Sequence, residues 1–149
     1  MRPGRLRRRL HQAIMFLAAL AVAGALGLLI GAWHNDRVIA EHPARSLGEI
    51  TRVGVLRTDV EYRDSNGLYH SPGGGLLYPG GLAEGQVVRI VYAQHRPDLA
   101  KVEGRNWPLA IAPAASIAAA ALAIAAGAWL AVNALTSPPP TPRPDQEDS

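Results

Sequence analysis

Cysteine is absent from this chain. That excludes disulfides, iron–sulfur clusters, thiol catalysis and every cysteine-containing zinc site. Lysine is almost absent too, Lys101 standing alone among the arginines, and aromatic residues make up only 5% of the sequence. The preference for Arg, with abundant Ala, Gly and Pro, resembles the composition expected from a GC-rich bacterial genome, such as that of an actinobacterium. No Asp, Glu, Lys, Arg or His falls in the middle of either of two long apolar runs. Ion pathways, proton relays and voltage sensors rest on such intramembrane groups, so a transporter is not expected.

Positive charge is concentrated rather than spread. Arg2, Arg5, Arg7, Arg8 and Arg9 crowd the start, while acidic and basic residues balance through the centre. Nucleic-acid binding needs a basic stripe on a folded face, and none is indicated. A short cationic arm beside an apolar run is an anchor to anionic headgroups.

The first run, Ala13 to Trp33, carries no charge. At about 1.5 Å per residue, its roughly 21 residues make a helix of about 31 Å, matching a hydrocarbon core of about 30 Å. The second runs from Leu109 to Leu135, with Pro113 near its start, where a missing donor costs least. Trp33 and Trp107 lie at the inner ends of the two runs and are assigned to one membrane interface. The competing reading of the first run is a cleaved signal peptide. The run is long for that role, and Val38-Ile39-Ala40 is only a fair cleavage site, so retention is favoured. Arg density places both termini in the cytoplasm and the central segment outside. Ala19, Ala23, Gly27 and Gly31 recur every four residues and form a candidate helix-packing stripe, to be met by the Ala-rich second span or by another copy in a homo-oligomer.

The organisation expected is therefore a basic arm at 1–12, transmembrane helix 1 at 13–33, an extracytoplasmic β domain at 34–107, transmembrane helix 2 at 108–135, and a Pro-rich, acidic, disordered tail at 136–149. In the β domain, Asp59 to Arg63 alternates polar and apolar positions, as a half-buried strand does. Asn66-Gly67 marks a tight turn, and Leu68 to His70 forms the returning strand. Gly48 to Leu56 reads as another strand, with a bulge near Gly54. Val87 to Tyr92, apolar on both faces except at Arg89, is expected in a central position. Leu99 to Glu103 leads back to the membrane. The fold class is two transmembrane helices flanking a roughly five-stranded antiparallel domain, barrel-like or sandwich-like.

The Gly-rich stretch Pro72 to Gly81 lacks the Gly-Lys-Ser/Thr ending of a phosphate-binding loop and reads as a connection. Leu76, Leu77 and Tyr78 inside it have three uses open: the domain core, the bilayer, or contact with a partner or ligand. Among His11, His34, His42, His70 and His95 no metal-ligand spacing appears, although His34 and His42 are close enough in sequence to approach each other. The serines lack a Gly-x-Ser-x-Gly setting. No catalytic, metal-binding or cofactor-binding residue is assigned, and no cofactor is expected.

Val60-Glu61-Tyr62-Arg63-Asp64-Ser65-Asn66-Gly67, then Glu84-Gly85-Gln86-Val87-Val88-Arg89-Ile90-Val91-Tyr92, then Arg96-Pro97-Asp98-Leu99-Ala100-Lys101-Val102, resemble the family called domain of unknown function 3592. The family often has Pro soon after the strand tyrosine, where this chain has Ala93-Gln94-His95. The resemblance implies a small β domain beside membrane helices and no particular chemistry. The functional expectation is a non-enzymatic, envelope-facing interaction or accessory module with a protein partner in the membrane or envelope. The alternative is a module sensing a small ligand or envelope component near Tyr62, Tyr78 and Tyr92. An enzyme assembled only in three dimensions is the third reading.

Overall fold

The structure, a computed structural model, describes residues 3–136; the tail expected from Ser137 onward lies outside them. Helix α1 (Pro3–Glu41) leads into strands β1 (Pro43–Val53), β2 (Thr58–Arg63), β3 (Tyr69–His70), β4 (Val87–Ala93) and β5 (Arg96–Val102). A 3-10 turn at Trp107–Ala110 then opens helix α2 (Ile111–Thr136). The chain divides into two compact units, one of Gly24–Ser116, the other of the segments before and after it.

Both helices are long and apolar enough to cross a membrane. Only 6% of the most apolar stretch of each is buried inside the protein, so neither is the core helix of a globular domain. Pro113 sits in the first turn of α2, where helix geometry tolerates it. The basic arm is helical from Pro3 onward, continuous with the apolar run.

At its other end α1 continues past Trp33 to Glu41, so His34–Glu41, read from sequence as the start of the β domain, is helix. No breaker intervenes before Pro43, and Ile39 (1% exposed) and Asp36 (8%) fall on the same buried side. Those two turns therefore have a packed face to stabilise them.

The five strands form one antiparallel, curled half-barrel sheet in the order β3-β2-β1-β4-β5. β1 lies at its centre, and β4 is flanked on both sides, by β1 and β5. The register of β1 on β2 shifts between Ile50 and Arg52, which puts the bulge a few residues before Gly54. Gly54 instead serves the β1–β2 hairpin, its N–H donating to the Arg57 carbonyl. Beyond it, Asp59 is bracketed by Arg52 and Arg57, at 2.7 and 3.1 Å.

Inward-facing residues of alternate parity make the core: Ile50, Val60, Tyr62, Ile90, Tyr92 and Ala100, joined by Leu76 from the Gly-rich connection. The Tyr62 and Tyr92 ring centroids are 4.9 Å apart, close enough for favourable aromatic contact. Burial, and after it the neighbouring Tyr92, Asp98 and Asp64, push the Tyr62 hydroxyl's pKa up, and that hydroxyl donates to the Pro97 carbonyl. Tyr62→Phe is expected to cost about 1 kcal/mol, the ordinary net value of one such bond, as read from equilibrium unfolding.

The β2–β3 hairpin is held by Asp64. Its Oδ1 accepts from the N–H groups of Asn66 (2.8 Å) and Leu68 (2.9 Å), and its Oδ2 pairs with His70 Nε2 at 2.7 Å. The His70 bond, then the backbone donors, hold the Asp64 carboxyl below its usual pKa. A depressed carboxylate contributes stability that is present above the unfolded value of about 4. It is lost as pH falls through the folded value. The stability difference between wild type and Asp64→Asn should thus be largest near neutrality and shrink toward zero in strong acid, as measured by unfolding at both pH values.

Candidate functional site

The densest polar arrangement among the described residues lies where the last turns of α1 meet the edge strand β5 and the start of the 3-10 turn. Asp36, on α1, is its centre. Its Oδ1 accepts from Lys101 Nζ at 3.1 Å and from the Tyr78 hydroxyl at 3.0 Å, and its Oδ2 from the Trp107 backbone N–H at 2.5 Å. Lys101 also donates to Asn106 Oδ1 at 2.8 Å. The two charged side chains are each about 10% exposed.

A charge pair this deep is costly to desolvate, and its attraction offsets that cost only when the remaining donors and acceptors are also satisfied. Here they are. The carboxylate takes three donors from three separate segments. Strand alternation puts Lys101 on the face of β5 opposite Ala100, in the core, and Val102, packed against it, so its side chain leaves the core side and meets Asp36 on α1. β5 in turn is extended sideways by a parallel bridge, in which the Leu77 N–H donates to the Ala100 carbonyl at 2.9 Å.

Tyr78 completes the connection. Its single hydroxyl proton is within reach of both Asp36 Oδ1 and the Ala32 carbonyl, at 3.0 and 3.1 Å, so it serves one at a time. Burial, then the bond to Asp36 and that residue's charge, raise the Tyr78 pKa and keep it a donor. Its backbone has φ of 54°, a left-handed conformation rare for a bulky side chain. Arg105 Nη1 donates to the Tyr78 carbonyl at 2.6 Å. The strained turn is thus fixed from both ends.

Trp33 and Trp107, the two residues assigned to a membrane interface, line one cleft of about 580 Å³ together with Asp36, Arg37 and Lys101. Arg37 lies over the Trp33 ring, 5.5 Å from its centroid. The structure therefore brings the two tryptophans to one place. Leu76, Leu77 and Tyr78, offered as a partner or ligand contact, are used internally, in the core, in the bridge to β5 and on Asp36. Tyr78 also lines an open groove with Pro79, Leu109 and Pro113, of which Leu109 is 54% exposed. Tyr62 and Tyr92 are 1% and 2% exposed; the Tyr62 hydroxyl is bonded to Pro97, and the Ser65 N–H donates to that of Tyr92. They are core rather than the lining of an open pocket.

Ala19, Ala23, Gly27 and Gly31 lie on an exposed side of α1. A Cβ built on Gly27 or Gly31 would meet nothing within 4 Å. In the unit formed by the outer halves of the helices, the groove between α1 and α2 is lined instead by Ile14, Leu17 and Ala18 on one side and Ala121, Ala125 and Ala128 on the other. The Ala-rich second helix does supply a facing surface, but to a different stripe of α1. His42 approaches His95, with ring centroids 4.8 Å apart, rather than His34. No group of three or more His, Asp or Glu suited to a metal ion occurs among the described residues.

Sequence reasoning placed Asp36 and Lys101 among sparse flanking charges and missed their pairing. The available signal was the chain's lone lysine, set within an expected strand between apolar neighbours. No family model matches the chain, and neither the curated proteins nor the solved structures contain a similar one.

Proposed function

We propose that this chain is a two-span membrane protein whose sheet is a non-enzymatic interaction module, held rigidly on its own first span. The resemblance to the domain of unknown function 3592 family is part of this reading. Both termini lie in the cytoplasm and the sheet lies outside, as the Arg density of the first segment supports. The observation that carries the proposal is the Asp36 cluster. It fastens the sheet to a helix that is itself the continuation of a membrane-length apolar run.

A module so mounted presents a fixed surface to a neighbour in the membrane or envelope. The sheet's most exposed apolar side chains, Val55 (101%) and Leu56 (96%), are at the tip of the β1–β2 hairpin, and they are the contact this reading favours. The exposed small-residue stripe of α1 supports self-association through the spans. The cleft beside Trp33 and Trp107 supports a second reading, in which the same mounting holds a small envelope component.

The test is labelling of single cysteines at Asn66 and Ser149 with a membrane-impermeant reagent, followed by crosslinking from position 55. Labelling at 66 alone, with one recurrent protein crosslink lost in Leu56→Asp, is the expected result. Labelling at 149 alone overturns the orientation. Correct topology without any recurrent partner transfers the weight to the ligand reading.

A further inference from the structure

The first turns of α1 and the last turns of α2 border an open cleft of about 670 Å³, lined among others by Arg7, Arg8, His11, Met15, Trp129 and Asn133. Arg7 Nη2 donates to Asn133 Oδ1 at 2.8 Å, which fixes that guanidinium across the two helices. The His11 ring stacks on Trp129, with centroids 3.9 Å apart and planes 18° from parallel. His11 Nε2 is buried and has no hydrogen-bond partner among the described residues. Neither Arg7 nor Arg8 has a carboxylate within ion-pair distance among those residues.

Two guanidinium groups without a carboxylate partner among the described residues and one unmatched imidazole nitrogen thus belong to an open cleft that Trp129 and Met15 also line. An orphaned buried nitrogen is costly, and with the ring proton on Nε2 the missing partner is an acceptor. A phosphate oxyanion supplies it, because its oxygens suit the donor forks of arginine and the imidazole N–H alike. The Met15 and Trp129 side chains on the cleft's lining disfavour a small ion that retains its water and suit one joined to an acyl-glycerol body. The cleft also lies at the end of two membrane-length helices, where headgroup phosphates reside.

We propose that this cleft binds the phosphate headgroup of an anionic phospholipid. The lipid source rests on the membrane reading above; the phosphate chemistry does not.

The full chain, purified in neutral detergent, would be examined by native mass spectrometry with phosphatidylglycerol, phosphatidylcholine or inorganic phosphate added. Wild type is expected to retain one phosphatidylglycerol in preference to phosphatidylcholine. Arg8→Ala should weaken that binding about fivefold, as loss of one interfacial cation does. His11→Phe, which keeps a ring on Trp129 but removes the nitrogen, should weaken it to a similar extent. Arg9→Ala removes the same charge from outside the cleft and should leave affinity unchanged.

Equal losses in Arg8→Ala and Arg9→Ala would reduce the effect to diffuse charge and overturn the site. Displacement of the lipid by millimolar inorganic phosphate would make the ligand a soluble one and overturn the lipid assignment. Binding that appears only after deletion of the residues beyond Thr136 would give the cleft to the chain's own acidic tail, and overturn it likewise. Protein that needs detergent for extraction yet binds no lipid would refute the site while leaving the membrane reading intact.

Discussion

Lys101→Met is expected to destabilise the sheet-bearing unit by about 3 to 5 kcal/mol, the usual cost of removing one member of a buried ion pair. The substitution conserves most of the side-chain volume, so little of the effect is a packing defect. What it leaves is the Asp36 carboxylate at 8% exposure without its cation, and Asn106 Oδ1 without the Lys101 donor. The partner change separates these causes. Asp36→Asn in the Lys101→Met background removes the stranded charge while keeping an amide oxygen for Tyr78 or Trp107. The double variant should recover more than half of the loss. Unfolding in detergent, followed by the fluorescence of Trp33 and Trp107 beside the pair, measures both. A double variant no better than the single one would mean that the charge is not what matters.

The second large effect is expected at Gly75. Its φ is +77°, and a Cβ there would stand 2.8 Å from the Thr58 carbonyl oxygen and 3.2 Å from Arg57 Cβ. The first of these is backbone of a central hairpin and cannot yield cheaply. The contact is tight because the next residue, Leu76, donates its N–H to that same Thr58 oxygen at 2.8 Å and enters the core. Gly75→Val should therefore cost about 3 kcal/mol, combining a disfavoured backbone with overpacking. Gly74→Ala, one residue earlier, meets open space and should fall within about 0.5 kcal/mol of wild type. Equal effects at 74 and 75 in the same unfolding assay would refute this account of the loop.

That loop shows where the sequence was legible and where it was not. Alternation located the strand at Asp59 to Arg63, and Asn66-Gly67 located its turn, because both signals are local: a two-residue period and a residue with φ of 85°. Composition alone made Pro72 to Gly81 a connection, and it is one. That Leu76 fills the core while Tyr78 reaches Asp36 depends on segments tens of residues away, which no local period encodes. The extension of α1 through His34 to Glu41 is an intermediate case. The spacing of Ala32, Asp36 and Ile39 on one helix face was present in the sequence, but the change from apolar to polar residues after Trp33 resembled a domain boundary. The Asp36–Lys101 pair, 65 residues apart, was beyond reach, since each residue alone reads as a flanking charge. The two tryptophans that line the cleft beside Asp36 could be singled out because an aromatic at the end of an apolar run stands out at its own position.

The central claim is that the Asp36 cluster fixes the sheet rigidly on the end of the first membrane-length helix. The most direct measurement is a spin-label distance distribution between His34 on α1 and Glu61 on β2, both exposed, in lipid nanodiscs. A single narrow distribution in wild type that broadens in Lys101→Met is the result expected. A broad distribution in wild type, or one that Lys101→Met leaves unchanged, would contradict the claim.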